Sequence, residues 1–318
     1  MSEADNAVSI EKLVKRFGDF VAVNAINLEV RKGEVFGFLG PNGAGKSTTI
    51  RMLCGLLTPT SGGARVAGYD VSRQPESVRQ NIGYMSQKFS LYNDLTVIEN
   101  LRLFAGLYGV PASLLQQRID WALDMANLKG REHLITATLP GGWKQRLALG
   151  CAVLHQPPII FLDEPTSGVD PISRRRFWDL IHHMAEEGVT VFVTTHYMEE
   201  AEYCNRLALI FRGAIAAVGT PSELKRKSMK GELLSVECEA LGKAAEILQS
   251  APGVMDAAVF GRALHLVVRD ATAAIPQLEK HLVDHGLGTV LIEKIQPSLE
   301  DVFVSLTSAA DSGKVWES

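Results

Sequence analysis

Long apolar runs are missing from this 318-residue sequence. No stretch of about eighteen hydrophobic residues occurs, which excludes a membrane-spanning helix. Cysteine is scarce: Cys54, Cys151, Cys204 and Cys238 lie far apart and form no CxxC pair. With no secretory leader either, the chain reads as a cytosolic protein with reduced thiols. A basic excess is also lacking, since 32 Lys and Arg against 36 Asp and Glu leave a net charge of -4. Nucleic-acid binding usually shows as a clustered positive patch, so no nucleic acid is expected as a partner. What is present is a globular composition, 46% hydrophobic and 21% charged, in a chain long enough for two domains.

Residues 8 to 30 alternate in strand fashion and are broken by Gly18. The apolar run Val35 to Leu39 enters a glycine-rich turn, and Ser47 to Leu57 then reads as a helix, which makes a first βα unit. From about 93 to 150 the pattern is helical. Thr96 with Glu99 predicts a capping box, and Ser113 with Gln116 a second one. Strand-like runs return at Ile159 to Leu162, Val189 to Thr194 and Leu207 to Phe211. The polar, basic stretch from Pro221 to Gly231 predicts a domain boundary, placing an α/β domain over 1–228. Residues 229–308 then follow a βαββαβ order, the ferredoxin-like pattern of a small α+β domain, and 309–318 read as a disordered tail.

Gly40-Pro41-Asn42-Gly43-Ala44-Gly45-Lys46-Ser47 fits GxxxxGK[ST] in full. Glycines let backbone N–H groups curl around a phosphate with no Cβ in the way, and the following helix adds its positive end. Lys46 is placed to reach the β- and γ-phosphates and the Ser47 hydroxyl to hold Mg²⁺, with Thr48 beside it. Ile159-Ile160-Phe161-Leu162-Asp163-Glu164 is the complementary element. Its apolar residues make a buried strand whose carboxyl end delivers Asp163 to the metal and Glu164 to an attacking water as general base.

These motifs, in this order over residues 7 to about 225, resemble the ATPase subunits of ATP-binding cassette (ABC) transporters. The resemblance implies a P-loop fold with a helical insertion, ATP and Mg²⁺ as ligands, and a head-to-tail homodimer with two ATP molecules between the subunits. It implies that Phe17 stacks on adenine, although a core phenylalanine reads the same way. Gln87 falls at the loop that touches Mg²⁺, and His196 at the histidine that bonds the γ-phosphate. The segment Leu139-Pro140-Gly141-Gly142, together with Asp170, would face the partner subunit's nucleotide. Here the usual Leu-Ser-Gly-Gly-Gln segment is altered: Pro140 and Trp143 stand where serine and glutamine are expected. Proline removes a hydroxyl donor, which weakens closure about ten- to a hundred-fold if that bond is worth ~1.5–3 kcal/mol.

Pro297 to Phe303 looks like the ending of the drug-exporter branch, whose permeases are separate membrane proteins. An amphipathic helix packed on the second domain gives the same pattern. Tyr84, Phe89, Leu91 and Tyr92 surround Gln87 and read either as core or as a groove for a permease helix. Arg174 to Arg176 and Lys225 to Lys227 read as solvated helix faces. The resulting expectation is an ATP-hydrolysing subunit on the cytoplasmic face of the cell membrane, docked to a separate permease that it drives, with export favoured over import. The alternatives are an ATP-gated regulatory module and a soluble ABC ATPase with little turnover.

Overall fold

The computed structural model describes residues 5–87, 91–229, 231–238, 240–287 and 290–311. They fall into two compact units that divide between Val218 and Gly219.

The first unit opens with a hairpin of β1 (Asn6–Phe17) and β2 (Phe20–Arg31), turned at Gly18 with φ 58°. In β2, Ile26, Leu28 and Val30 point inward and Asn27 and Glu29 outward, the period expected of a half-buried antiparallel strand. β3 (Val35–Leu39) is buried at every position, as a central parallel strand should be, and leads into α1 (Lys46–Leu53). Next come β4 (Ser61–Val66), β5 (Tyr69–Asp70), α2 (Pro75–Gln80) and β6 (Ile82–Met85). The helical insertion holds α3 (Val97–Leu107), α4 (Ala112–Met125) and α5 (Gly141–Val153). The chain then runs through β7 (Ile159–Asp163), α6 (Pro171–Glu186), β8 (Thr190–Thr195), α7 (Met198–Ala201), β9 (Arg206–Phe211) and β10 (Ala214–Gly219). Two sheets result, one ordered β2-β1-β4-β5 and one ordered β10-β9-β3-β8-β7-β6. Phe192 of β8 lies 5.4–5.6 Å, ring to ring, from Phe36, Phe38 and Phe161, so neighbouring strands are locked through their side chains. Each such buried ring contributes about 1.5–3 kcal/mol.

The second unit holds α8 (Pro221–Ser228), β11 (Glu232–Glu237), α9 (Leu241–Gln249), β12 (Val254–Phe260), β13 (Ala263–Val268), α10 (Ala271–Asp284), β14 (Leu291–Ile295) and α11 (Leu299–Asp311). The βαββαβ core folds into an antiparallel sheet ordered β12-β13-β11-β14, a ferredoxin-like arrangement. Leu234, Val236, Leu264, Leu266, Leu248, Leu278 and Leu282 fill its own core.

Some local expectations need correcting. Thr96 and Glu99 do form the capping box of α3, but Ser113 caps nothing. Helix α4 begins earlier, behind Pro111, whose fixed φ of -57° sets the entry, and Gln116 donates instead to Asp120. α10 starts at Ala271 because Asp270 caps it through the Ala273 N–H, and Pro276 sits within its run. The stretch assigned to the boundary is itself helix α8, capped by Thr220 and Glu223 and belonging to the second unit; the division falls at Val218/Gly219. The helix α11 extends through Asp311, into the stretch read as tail.

Candidate nucleotide site

Parallel pairing brings the carboxyl ends of β3, β7 and β8 to one rim: Leu39 is opposite Thr195, and Asp163 opposite Thr194. In open α/β sheets this rim is where ligands bind. The loop Gly40 to Gly45 leaves it and ends in α1, whose N-cap Gly45 has no side-chain cap. The first N–H groups of that helix therefore face outward as an anion site. Two glycines are sterically obligatory. A Cβ on Gly40 would lie 2.2 Å from the Ile210 carbonyl oxygen, and one on Gly45, at φ 108°, would lie 2.5 Å from that of Ala22. Asn42 and Gly43 stay exposed, and Pro41 and Ala44 close the turn by an N–H···O bond of 3.2 Å.

Lys46 is only 4% exposed. Its ammonium donates to the carbonyls of Gly40 (2.8 Å) and Pro41 (3.2 Å) and pairs with Glu164 Oε1 at 3.1 Å. Ser47 Oγ donates to Asp163 Oδ1 at 3.1 Å, while Thr48 is half-buried on the same turn. Glu164 Oε2 accepts from Gln87 Nε2 at 3.0 Å and from His196 Nδ1 at 3.1 Å. One carboxylate thus collects a lysine, a glutamine and a histidine from three elements. Its backbone is left-handed, at φ 48°, a conformation that costs a non-glycine residue about 1–2 kcal/mol. Bonds from the Glu164 N–H to the oxygen (3.1 Å) and hydroxyl (3.0 Å) of Thr194 hold it there.

Thr194 is the residue that the sequence reading passed over. Its hydroxyl donates to Asp163 Oδ1 at 2.7 Å, the oxygen that also receives Ser47, and it is fully buried. In the sequence it is only a hydroxyl residue following the apolar run Val191 to Val193, with nothing to single it out. Cys54 and Tyr84 report how dry this region is. Burial pushes both groups up, and the charge of Asp163 adds to the shift in each.

The remaining expected residues sit on other elements. Phe17 is exposed at the β1–β2 turn, with the Lys15 ammonium 5.3 Å from its ring. Leu139 is buried, and Pro140 is the N-cap of α5, at φ -57° and ψ 154°, without a side-chain cap. Gly141 and Gly142 form the first turn of that helix. A Cβ on Gly142 would strike Ser173 Oγ at 2.6 Å, so the amino ends of α5 and α6 abut. Asp170 caps α6 by accepting from Ser173 N at 2.9 Å, and this bond holds its carboxyl below the usual range. Trp143 lies between Arg131 and Arg146, 3.7 and 5.0 Å from its ring, which the motif alone does not reveal. Tyr84 and Leu91 line a small cavity with Phe104 and Ala148; Tyr92 is exposed, and Phe89 lies outside the described residues.

Among the described residues, no helix is long and apolar enough to cross a membrane, and no three His, Cys, Asp or Glu side chains cluster as a metal cage. The adjoining Ser47 hydroxyl and Asp163 carboxylate do suit Mg²⁺. It prefers hard oxygen donors and is commonly bound through one or two protein groups plus phosphates and waters.

A phosphate loop at the rim of a parallel sheet, facing paired acids and a histidine, defines a P-loop nucleotide-binding protein. Residues 23–167 match the family model described as "ABC transporter", and residues 219–307 the one described as "ATP-binding protein DrrA1-3-like, C-terminal domain". The chain is 36% identical over 294 residues to the Nod factor export ATP-binding protein I of Cupriavidus metallidurans, covering 92% of this chain and 94% of that one. It is 34% identical over 308 residues to the daunorubicin resistance ATP-binding protein DrrA3 of Streptomyces coeruleorubidus, covering 96% of each. Over 228 residues it is 52% identical to the probable multidrug ABC transporter ATP-binding protein YbhF of Escherichia coli, 72% of this chain but only 39% of that protein's length. Among solved structures, cbiO1 from Clostridium perfringens, part of the ABC transporter complex cbiONQ, superposes with a TM-score of 0.65 at 28% identity, over 70% of this chain and 92% of its own. The ATP-binding cassette MJ0796, solved as a dimer bound to ADP and Pi, gives 0.61 at 27%, over 67% and 98%. The chain belongs to the ATP-binding subunits of ABC transporters.

Proposed function

We infer that this chain binds ATP between two copies arranged head to tail, hydrolyses it, and drives a separate transmembrane permease from the cytoplasmic face. The roles named for its relatives, multidrug transport, Nod factor export and daunorubicin resistance, favour export. The observation that carries the hydrolytic part is the suspension of Glu164 between Lys46, Gln87 and His196, one residue beyond Asp163.

A triphosphate entering the loop offers Lys46 stronger acceptors than two carbonyls, so its donors pass to the β- and γ-phosphates. Glu164 Oε1 is then freed from its ion pair and accepts a proton from a water molecule whose own oxygen attacks the γ-phosphorus; the bond to the β,γ-bridging oxygen breaks, leaving ADP and inorganic phosphate. Gln87 and His196 hold the other carboxylate oxygen and fix its direction. With Nδ1 donating to Glu164, the His196 ring points Nε2 to its other side, where it donates to a γ-phosphate oxygen when both ring nitrogens carry hydrogen. Ser47 and Asp163, with the Gln87 carbonyl, would hold Mg²⁺, which neutralises charge on the phosphate oxygens when bound. Phe17 would stack on adenine, while Leu139 to Gly142 and Asp170 would face the nucleotide of the second copy.

Phosphate release by the purified protein tests this reading. Glu164→Gln should cut turnover about 10²- to 10⁴-fold while ATP stays bound. Equal turnover in both proteins overturns the assignment. Pro140, which brings no hydroxyl to α5, favours a second reading in which ATP gates dimerisation with little turnover. Wild-type protein that dimerises on ATP without releasing phosphate would select it.

A further inference from the structure

The Thr194 side chain holds both acids of the site. It is fully buried on β8, opposite Asp163 in the parallel ladder. Its hydroxyl proton goes to Asp163 Oδ1 (2.7 Å), and its lone pair receives the Glu164 N–H (3.0 Å). Ser47 Oγ reaches the same Asp163 oxygen at 3.1 Å. With two hydroxyls on Oδ1, the carboxylate cannot rotate freely, and its other oxygen is turned toward whatever lies beyond. Beside it, the Glu164 amide is held in a left-handed turn at φ 48° that the backbone would otherwise leave.

We propose that Thr194 is a positioning residue, whose hydroxyl sets the direction of Asp163 toward a bound Mg²⁺ and the turn of Glu164 toward water. This rests on the ATP-hydrolysing reading above. The hydroxyl touches neither nucleotide nor metal; it acts through the two acids. A threonine methyl alone does not supply this, because the donor and the acceptor are the same oxygen. Thr194→Val keeps the shape and the backbone bond from Glu164 N to the Thr194 carbonyl (3.1 Å) but removes both side-chain bonds.

The test compares full-length wild type, Thr194→Val and Thr194→Ser. A hydrogen bond to a charged group is worth roughly a ten- to hundred-fold change in an equilibrium or rate. Thr194→Val should therefore lower kcat about ten- to a hundred-fold, with KM for ATP within about threefold, and raise the half-saturating Mg²⁺ by about tenfold. A fluorescent ATP analogue in EDTA should bind all of them alike, whereas the affinity gained on adding Mg²⁺ should shrink in Thr194→Val. Thr194→Ser, which restores the hydroxyl, should stay within about threefold of wild type. Unchanged kcat and Mg²⁺ dependence in Thr194→Val overturns the proposal. So does a loss in Thr194→Ser comparable to that in Thr194→Val, since bulk rather than the hydroxyl would then matter. If Thr194→Val does not fold, Thr194→Ala takes its place in each comparison, and a loss in Thr194→Ser of about tenfold or more against wild type overturns the proposal by itself. Wild-type protein without turnover would refute the hydrolytic reading instead, and the Mg²⁺-dependent binding arm would still decide the role of Thr194.

Discussion

Gly45 shows how narrow the tolerances of the phosphate loop are. It combines a positive φ of 108° with a backbone oxygen 2.5 Å from where a Cβ would stand. Either constraint alone disfavours any other residue; together they leave none. Gly45→Ala should lower stability by about 1–3 kcal/mol through strain and overpacking. It should also weaken ATP binding at least about tenfold, because the first N–H groups of α1 move with it. Thermal melts and titration with a fluorescent ATP analogue read both effects, and a variant that binds like wild type would refute the assigned geometry. Glu164 makes the opposite choice: it accepts a left-handed backbone without being glycine, and the bond from its N–H to the Thr194 hydroxyl holds the turn. Strain at such a position is characteristic of functional sites.

At the level of the element, helix α5 carries the altered signature. Proline is compatible with the N-cap backbone that α5 adopts, at φ -57°, but supplies no cap. Gly142 abuts Ser173, and Asp170 caps α6, so the two helix ends present themselves together. In Pro140→Ser, the gained cap is worth about 1 kcal/mol and the lost proline rigidity about 0.4–1 kcal/mol, so stability should hardly change. The restored hydroxyl should nonetheless tighten ATP-driven dimerisation by about tenfold. Sedimentation in the Glu164→Gln background, with ATP present, measures it. A dimer no tighter than the proline form would show that the site has been rebuilt to work without that donor, for which the Arg131–Trp143–Arg146 stack is the evident neighbour.

Across the whole molecule, carboxylates at turns and helix starts share one electrostatic bias. The N–H of Arg73 holds Asp70 below its ordinary pKa, and those of Thr96, Ser173 and Thr220 do the same for Glu99, Asp170 and Glu223. Lys294 does so for Glu232. They occur in both units. An acid with a depressed folded pKa contributes stability above its unfolded value, about pH 4, and loses it as pH falls through the folded value. Glu99 and Asp170 are exposed and the other three half-buried at the surface, so single contributions are small, but all have the same sign. The urea midpoint should hold nearly level from pH 7 to about 5 and fall steadily below about 4. A midpoint that rises on acidification from pH 5 to 3 would contradict this.

Much of the site was already written in local spacing. Gly40 to Ser47, and Asp163 with Glu164 behind an apolar run, are contiguous chemistry: a phosphate grip and a buried strand ending in acids need no distant contact to be recognised. Helix α3 was similarly open to reading, because a capping box lies within four residues. The assignments of Gln87, His196, Pro140 and Asp170 came from motif order, not from physics on the chain alone. Tertiary structure decided the rest. Ser61 to Val66 carries two glycines after its first residue and no strand signal, yet it is held as β4 by pairing with β1 and by a close approach at Gly62. Ser113 offers a box on paper, but Pro111 starts the helix first. Thr194 became visible only when the register of β7 and β8 set its hydroxyl between Asp163 and Glu164, residues some thirty positions away. The sequence alone determined the glycine-rich turn and the helix that starts at Lys46, since that loop is built from near neighbours. Only the folded sheet determined how the acids are aimed, since their direction depends on strand pairing across large separations.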